Sequence, residues 1–270
     1  MRSIKLIVVV GLCLMPAACG SKPSVSEAQK AFAHGYHCLM VSRDWATAQL
    51  EFEKVVQLEP DNASAWRYLG LAYLRSGKYD DAVRCFQKYG EISRAAGDQA
   101  ALAASLNYTA MVYSLQGNYA DAATSYQETL DVCRQIGESG RIAEALNNYA
   151  WLLATARDDA VRNGDKAVQM ATEALDLDAK LGVELEAKLN REVDARQSAR
   201  TTREEQIALH TDTLAAAYAE TGNFDEAVRL QEEVVNTLRR LRPRRPGRPS
   251  AVALYEHRLR LYKRGEQYRE

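Results

Sequence analysis

The chain has 270 residues, 47% of them hydrophobic and 26% charged, with 35 basic against 36 acidic side chains. That apolar share excludes a disordered chain, and the balanced charge leaves no basic surplus for nucleic acid. Only 6 prolines occur, alanine is abundant, and the composition favours helix.

The first element is a targeting segment. Arg2 and Lys5 supply positive charge, and Ile4 to Met15 is almost wholly apolar. About fifteen uncharged residues fall short of the roughly 20 that a spanning helix needs, and suit the core of a secretory signal. Small residues Ala17 and Ala18 precede Cys19, and Gly20 follows. "PAACG" resembles a bacterial lipobox, departing from it at Pro16, where an aliphatic residue is usual. The resemblance implies a signal peptide over 1–18, a lipidated Cys19 as mature N-terminus and a polar tether over 19–28. Two or more acyl chains would anchor the protein stably. Gly20 in place of aspartate implies, by resemblance to enterobacterial sorting, an outer membrane with the protein facing the periplasm. Cleavage without lipid and a retained anchor are the other readings of this segment.

From residue 29 the chain repeats itself. Five segments align: "SRDWATAQLEFEKV", "SGKYDDAVRCFQKY", "QGNYADAATSYQET", "NGDKAVQMATEAL" and "TGNFDEAVRLQEEV". Each places an alanine in the same register: Ala48, Ala82, Ala122, Ala167 and Ala227. Four residues later stand Phe52, Phe86, Tyr126, Ala171 and Gln231. Upstream, Trp66, Leu69, Gly70 and Tyr73 share one helical face, and the spacing recurs at Leu106, Leu146 and Thr211. The unit is helix, turn, helix, with Gly77, Gly117 and Gly222 suited to the left-handed residue that ends a helix. In the first unit Tyr36 stands where a small residue is expected.

"WRYLGLAYLRSGKYDDAVRCFQK" resembles the tetratricopeptide repeat. The resemblance implies an all-α, right-handed superhelical solenoid of about five helix-turn-helix units over 29–241, closed by a capping helix. The 40-residue step between Ala82 and Ala122 resembles kinesin-light-chain repeats. Residues 182–207 read as a charged helical insertion with a break at Thr201–Thr202, and 242–250 as a basic, proline-rich linker. Residues 251–270 read as capping helix and tail, with Leu254, Leu259, Leu261 and Tyr262 closing the last apolar face.

Chemistry-bearing patterns are sparse. Cys38, Cys85 and Cys133 are widely spaced, form no CxxC, and read as small hydrophobes or one disulfide. His34, His37 and Cys38 share a helical face, a zinc-like set lacking a fourth ligand. His210 and His257 are isolated in sequence. No nucleophile motif, phosphate loop or paired acidic motif occurs. The expectation is therefore a protein without catalytic residues, cofactor or metal.

In the family it resembles, first helices line a concave groove. That register implies Arg67 and Leu71, Asn107 and Met111, and Asn147 and Trp151 as groove residues. Ala33, His37, Asp212 and Ala216 hold the equivalent places in the first and last units. Asparagine amides pair with peptide backbone, Arg67 suits a carboxylate, and Met111 and Trp151 offer apolar contact. Bridging of neighbouring helices is the competing role for Asn107 and Asn147. The expected function is a membrane-tethered scaffold that binds a peptide segment of an envelope partner, of the pilus, secretin or outer-membrane assembly type. Its expected contacts are a protein in the groove and a membrane at Cys19. An adaptor recruiting a cell-wall hydrolase is one alternative, and a metal-dependent enzyme at His34 and His37 is another.

Overall fold

The computed structural model describes residues 26–188, 193–241 and 252–270, with the side chains of 184–200 excepted. Cys19, the signal segment and the basic linker at 242–250 lie outside the described residues. Within them are eleven α-helices and no strand. They form five pairs: α1 (Glu27–His37) with α2 (Trp45–Leu58), α3 (Ala63–Arg75) with α4 (Tyr79–Ala95), and α5 (Gln99–Gln116) with α6 (Tyr119–Ile136). Then come α7 (Ser139–Thr155) with α8 (Gly164–Lys188), and α9 (Val193–Glu220) with α10 (Phe224–Leu241). A final helix, α11 (Ala253–Tyr262), packs on α10.

Local chemistry sets the helix starts. Ser26 and Gln29 form a reciprocal capping box on α1. Asp44, Asn62 and Asp98 accept hydrogen bonds from the first turns of α2, α3 and α5. Helix α1 therefore begins inside the stretch expected as tether.

The repeated alanines are what let the pairs close. Ala48, Ala82, Ala122, Ala167 and Ala227 are all 0% exposed, one in the second helix of every pair. The aromatic four residues on reaches the next unit. Phe52 stacks on Tyr68, Phe86 on Tyr108, and Tyr126 on Tyr149, with ring centroids 5.6, 4.9 and 6.4 Å apart. Contacts of this kind contribute about 0.5–1.5 kcal/mol each beyond burial. Each first helix after α1 packs against the preceding unit as well as its own partner.

The first unit departs from the expected register. Gly70 precedes Ala82 by 12 residues, but Gly35 precedes Ala48 by 13. The extra residue is taken up by a π-helical turn at Cys38–Ser42, the usual way a helix absorbs one insertion. It brings Gly35 rather than Tyr36 under the ring of Phe52. The small residue expected at Tyr36 is therefore present one position earlier. Arg43 ends this turn in the left-handed conformation, at φ 56°.

The charged insertion lengthens α8 and α9. No break falls at Thr201–Thr202, because α9 runs through both; threonine is only mildly unfavourable within a helix. At the far end Val252, Tyr255 and Leu259 pack on Ala208, Val234, Val235 and Leu238. Leu261 and Tyr262 join the main core, whereas Leu254 is exposed. Among the described residues no helix is long and apolar enough to cross a membrane.

Candidate groove on the first helices

The six groove residues expected from sequence are all half-buried, two each on α3, α5 and α7. Arg67 lays its guanidinium over the ring of Tyr68, 4.5 Å from the centroid. Leu71 packs among the apolar residues of the first three units. The Asn107 amide oxygen accepts a hydrogen bond from Asn148 Nδ2 at 3.0 Å. That bond bridges α5 and α7 through Asn148, a residue the sequence did not single out. Asn147 behaves differently. Its Oδ1 is buried and meets no donor among the described residues.

The π-helical turn also re-aims the first unit. Counting from Gly35, as Arg67 and Leu71 count from Gly70, the equivalent positions are Phe32 and Tyr36, not Ala33 and His37. Both rings meet Tyr68 edge-on, at 5.6 and 5.3 Å. His34 pairs with Glu51 of α2 at 2.8 Å, and His37 is exposed while Cys38 is buried. No group of three or more potential metal ligands assembles among the described residues.

The other end of the face is occupied by the chain itself. After α11 the chain turns at Gly265, whose φ of 70° places it in the left-handed region. The Glu266 N–H donates to the Leu261 carbonyl, and the Gly265 N–H to that of Tyr262, a Schellman closure that redirects the chain. Residues 266–270 then run without regular structure across α7 and α9. Tyr268 packs against Trp151, with ring centroids 5.9 Å apart. Arg269 pairs with Glu220 at 2.7 Å, the carboxylate that also holds Arg162 at 3.1 Å. The Glu270 carboxylate accepts the Trp151 indole N–H at 2.9 Å. Its backbone N–H donates to the Thr155 carbonyl at 3.0 Å, and its carbonyl accepts from the Tyr119 hydroxyl at 3.2 Å.

Beneath this segment lies a buried polar network. Arg258 of α11 is paired with Asp212 of α9. Its guanidinium sits 4.4 Å from the Trp151 ring, 4.7 Å from Tyr268 and 5.4 Å from Tyr255. The Gln231 amide donates to Asp212 at 2.8 Å and to the Tyr255 carbonyl at 3.2 Å. Gln231 replaces the aromatic of earlier units because α11, not another repeat, lies beyond it. Asp212, expected at the groove, is on this face but already held by α11, and Ala216 is buried. His210, isolated in sequence, lies 2.6 Å from Asp178 of α8, both buried.

Three cysteines, Cys38, Cys85 and Cys133, are free and buried. Burial pushes the Cys85 thiol up to about 12, with Asp81 adding to the rise.

Sequence reasoning missed Arg258, Tyr268 and Glu270. They lie outside the repeat, and nothing periodic marks them. The available signal was indirect: a polar tail with one aromatic, following a cap, beside a register that left Trp151 and Asp212 facing the groove.

Comparison with known proteins agrees with this geometry. Profiles described as tetratricopeptide repeat match residues 61–135, 102–180 and 208–243. No curated protein matches the chain. Among solved structures, BtubC (BKLC) from P. vanneervenii is similar over 83% of this chain and 92% of its own, at 18% identity and TM-score 0.55. MamA is similar over 83% and 98%, at 15% identity and TM-score 0.52. A Podosopora anserina protein of nearly identical kinesin-light-chain TPR-like repeats is similar over 81% and 99%, at 16% identity and TM-score 0.52. At these identities the likeness is one of fold.

Proposed function

The chain belongs to the tetratricopeptide repeat family, and from that premise we infer that it is a lipid-anchored scaffold holding an extended segment of an envelope protein on its first-helix face. Repeats of this family generally bind protein partners and are generally non-catalytic. One observation carries the finer reading. The face already holds an irregular stretch of polypeptide, residues 266–270, through side-chain and backbone hydrogen bonds to α7. A surface that can do this for its own chain has the donors, acceptors and aromatic area to do it for another.

The half-buried Asn147, Arg67 and Met111 extend the same face toward the first units. Lipidation of Cys19 would fix where the face operates. The small residues around Cys19 and the short apolar run before it support that anchor, and Gly20 supports transport to an outer membrane with the repeats in the periplasm.

Two experiments test the reading. Cys19→Ser is expected to move the protein from the membrane to the soluble fraction; retention in the membrane would refute the lipid anchor. A photocrosslinker at Met111 is expected to trap an envelope protein that the same group at Asp131, exposed on α6, does not. Asn107→Ala combined with Asn147→Ala is expected to abolish that crosslink at unchanged helicity. Equal crosslinking from both positions would sink the groove assignment.

A further inference from the structure

We propose that residues 266–270 are a built-in occupant of the partner site, and that the partner segment displacing them carries an aromatic residue followed two positions later by a carboxylate. The proposal rests on the scaffold reading and names the chemistry and regulation of that same face.

The docked stretch makes a distinct contact at each of its last three residues. Tyr268 supplies a ring to the Trp151 indole and the Arg258 guanidinium. Arg269 supplies a cation to Glu220. Glu270 supplies a carboxylate to the Trp151 N–H and a backbone N–H to the Thr155 carbonyl. Tyr268 is half-buried against the main core, whereas the apolar closure of the array is otherwise made upstream by Val252, Leu259 and Tyr262. The stretch therefore adds one ring to a cap whose fully buried members, Val252 and Tyr262, lie upstream of it. It is joined to α11 by one turn at Gly265, so it can leave without unpacking α11.

Once it leaves, Trp151, Glu220 and the outer face of Arg258 open together. An incoming segment finds a ring site, a carboxylate site one residue pair further on, and an acidic site between them. The match to an aromatic–basic–acidic triplet is chemical, since each position is read by a different group.

The tether makes self-occupancy effective. A short linker holds a tail at an effective concentration in the mM range. A tail that binds the open site at about 100 μM then suppresses any competing segment roughly tenfold.

The test uses a labelled, C-terminally amidated peptide of residues 264–270 and the full chain. The double variant Tyr268→Ala with Glu270→Ala is expected to bind this peptide at least tenfold more tightly than wild type. Adding Trp151→Phe, which keeps the ring and removes the donor, is expected to reverse most of that gain. A peptide with alanine in place of tyrosine is expected not to bind. The indole N–H resonance of Trp151 provides a direct readout of occupancy, and circular dichroism checks folding. Equal binding to wild type and the double variant, or binding to neither, overturns self-occupancy. A wild-type dimer dissolved by the tail substitutions overturns the intramolecular assignment in favour of exchange between copies. The crosslink at Met111 keeps the two ideas apart: if it forms while the peptide arms fail, the scaffold reading stands without self-occupancy.

Discussion

Trp151 donates its indole N–H to the Glu270 carboxylate at 2.9 Å, a contact between residues 119 positions apart. It ties the end of the described chain to the middle of the repeat array. The family resemblance implies Trp151 as a groove residue, and in the structure its indole N–H is taken by the chain's own tail.

Docking of this segment depends on one backbone conformation. Gly265 adopts φ 70° with its Schellman hydrogen bonds intact, and a side chain there costs about 1–2 kcal/mol. Gly265→Ala is expected to shift the docked population toward release by roughly fivefold or more. Hydrogen exchange at the Glu270 amide, which is bonded to Thr155, measures this. An exchange rate equal to wild type would show that the turn does not govern docking.

A second prediction concerns the array itself. A Cβ built on Gly70 would lie 2.7 Å from Phe86 Cε1, and one on Gly35 would lie 3.2 Å from Phe52 Cζ. Phe86 is fully buried and stacked on Tyr108, so it has nowhere to move. Gly70→Ala is expected to destabilise by about 1–3 kcal/mol, as overpacking of a close-packed core does. Gly35→Ala should cost less, because the contact is looser. Urea unfolding of both variants checks the ranking, and a reversed order would refute the packing argument.

These glycines show what was legible in the sequence. Helix identity, pairing and order followed from alanine spacing and aromatic positions, which report packing directly. The register of the first unit did not, because a π-helical turn leaves no compositional mark. Only the count from Gly35 to Ala48 betrays it. The continuity of α9 through Thr201 was missed because two adjacent threonines weaken a helix without ending it. On the candidate face, the register implied by the family resemblance pointed to Trp151 and Asn107, whose places recur. It was blind to Arg258 and Glu270, which act through tertiary contacts across 46 and 119 positions.

Gln231 yields a counterintuitive expectation. Restoring the repeat pattern with Gln231→Phe should improve a repeat judged by sequence alone. In the structure Gln231 is fully buried and donates to Asp212 and the Tyr255 carbonyl. The aromatic removes both bonds and crowds Arg258. Leaving buried acceptors unpaired costs about 1–3 kcal/mol each, so the variant is expected to lose at least that much. Arg258→Met, which strands Asp212, is expected to lose about 3–5 kcal/mol. Thermal unfolding of both reads the result, and a stabilised Gln231→Phe would refute the network.

Alkaline stability tests the buried ionisable groups. The Cys85 thiol is pushed up to about 12 by burial, while an unfolded thiol ionises near 8.5. Between those values the unfolded chain releases a proton that the folded chain keeps. Stability is therefore full below about pH 8.5 and falls as pH rises, by up to ~1.4 kcal/mol per unit for each such group. Burial likewise holds the Tyr126 and Tyr262 hydroxyls above their ordinary range, adding to the slope from about pH 10. Melting temperature is expected to be flat through neutral pH and to drop steadily above pH 9. Cys85→Ala, referenced to its own stability at pH 7, should delay the onset of that fall. The same burial makes Cys85 a slow thiol: in the native state it should resist a thiol reagent at pH 8 and react only on unfolding. Rapid native labelling at Cys85 would contradict the burial on which both expectations rest.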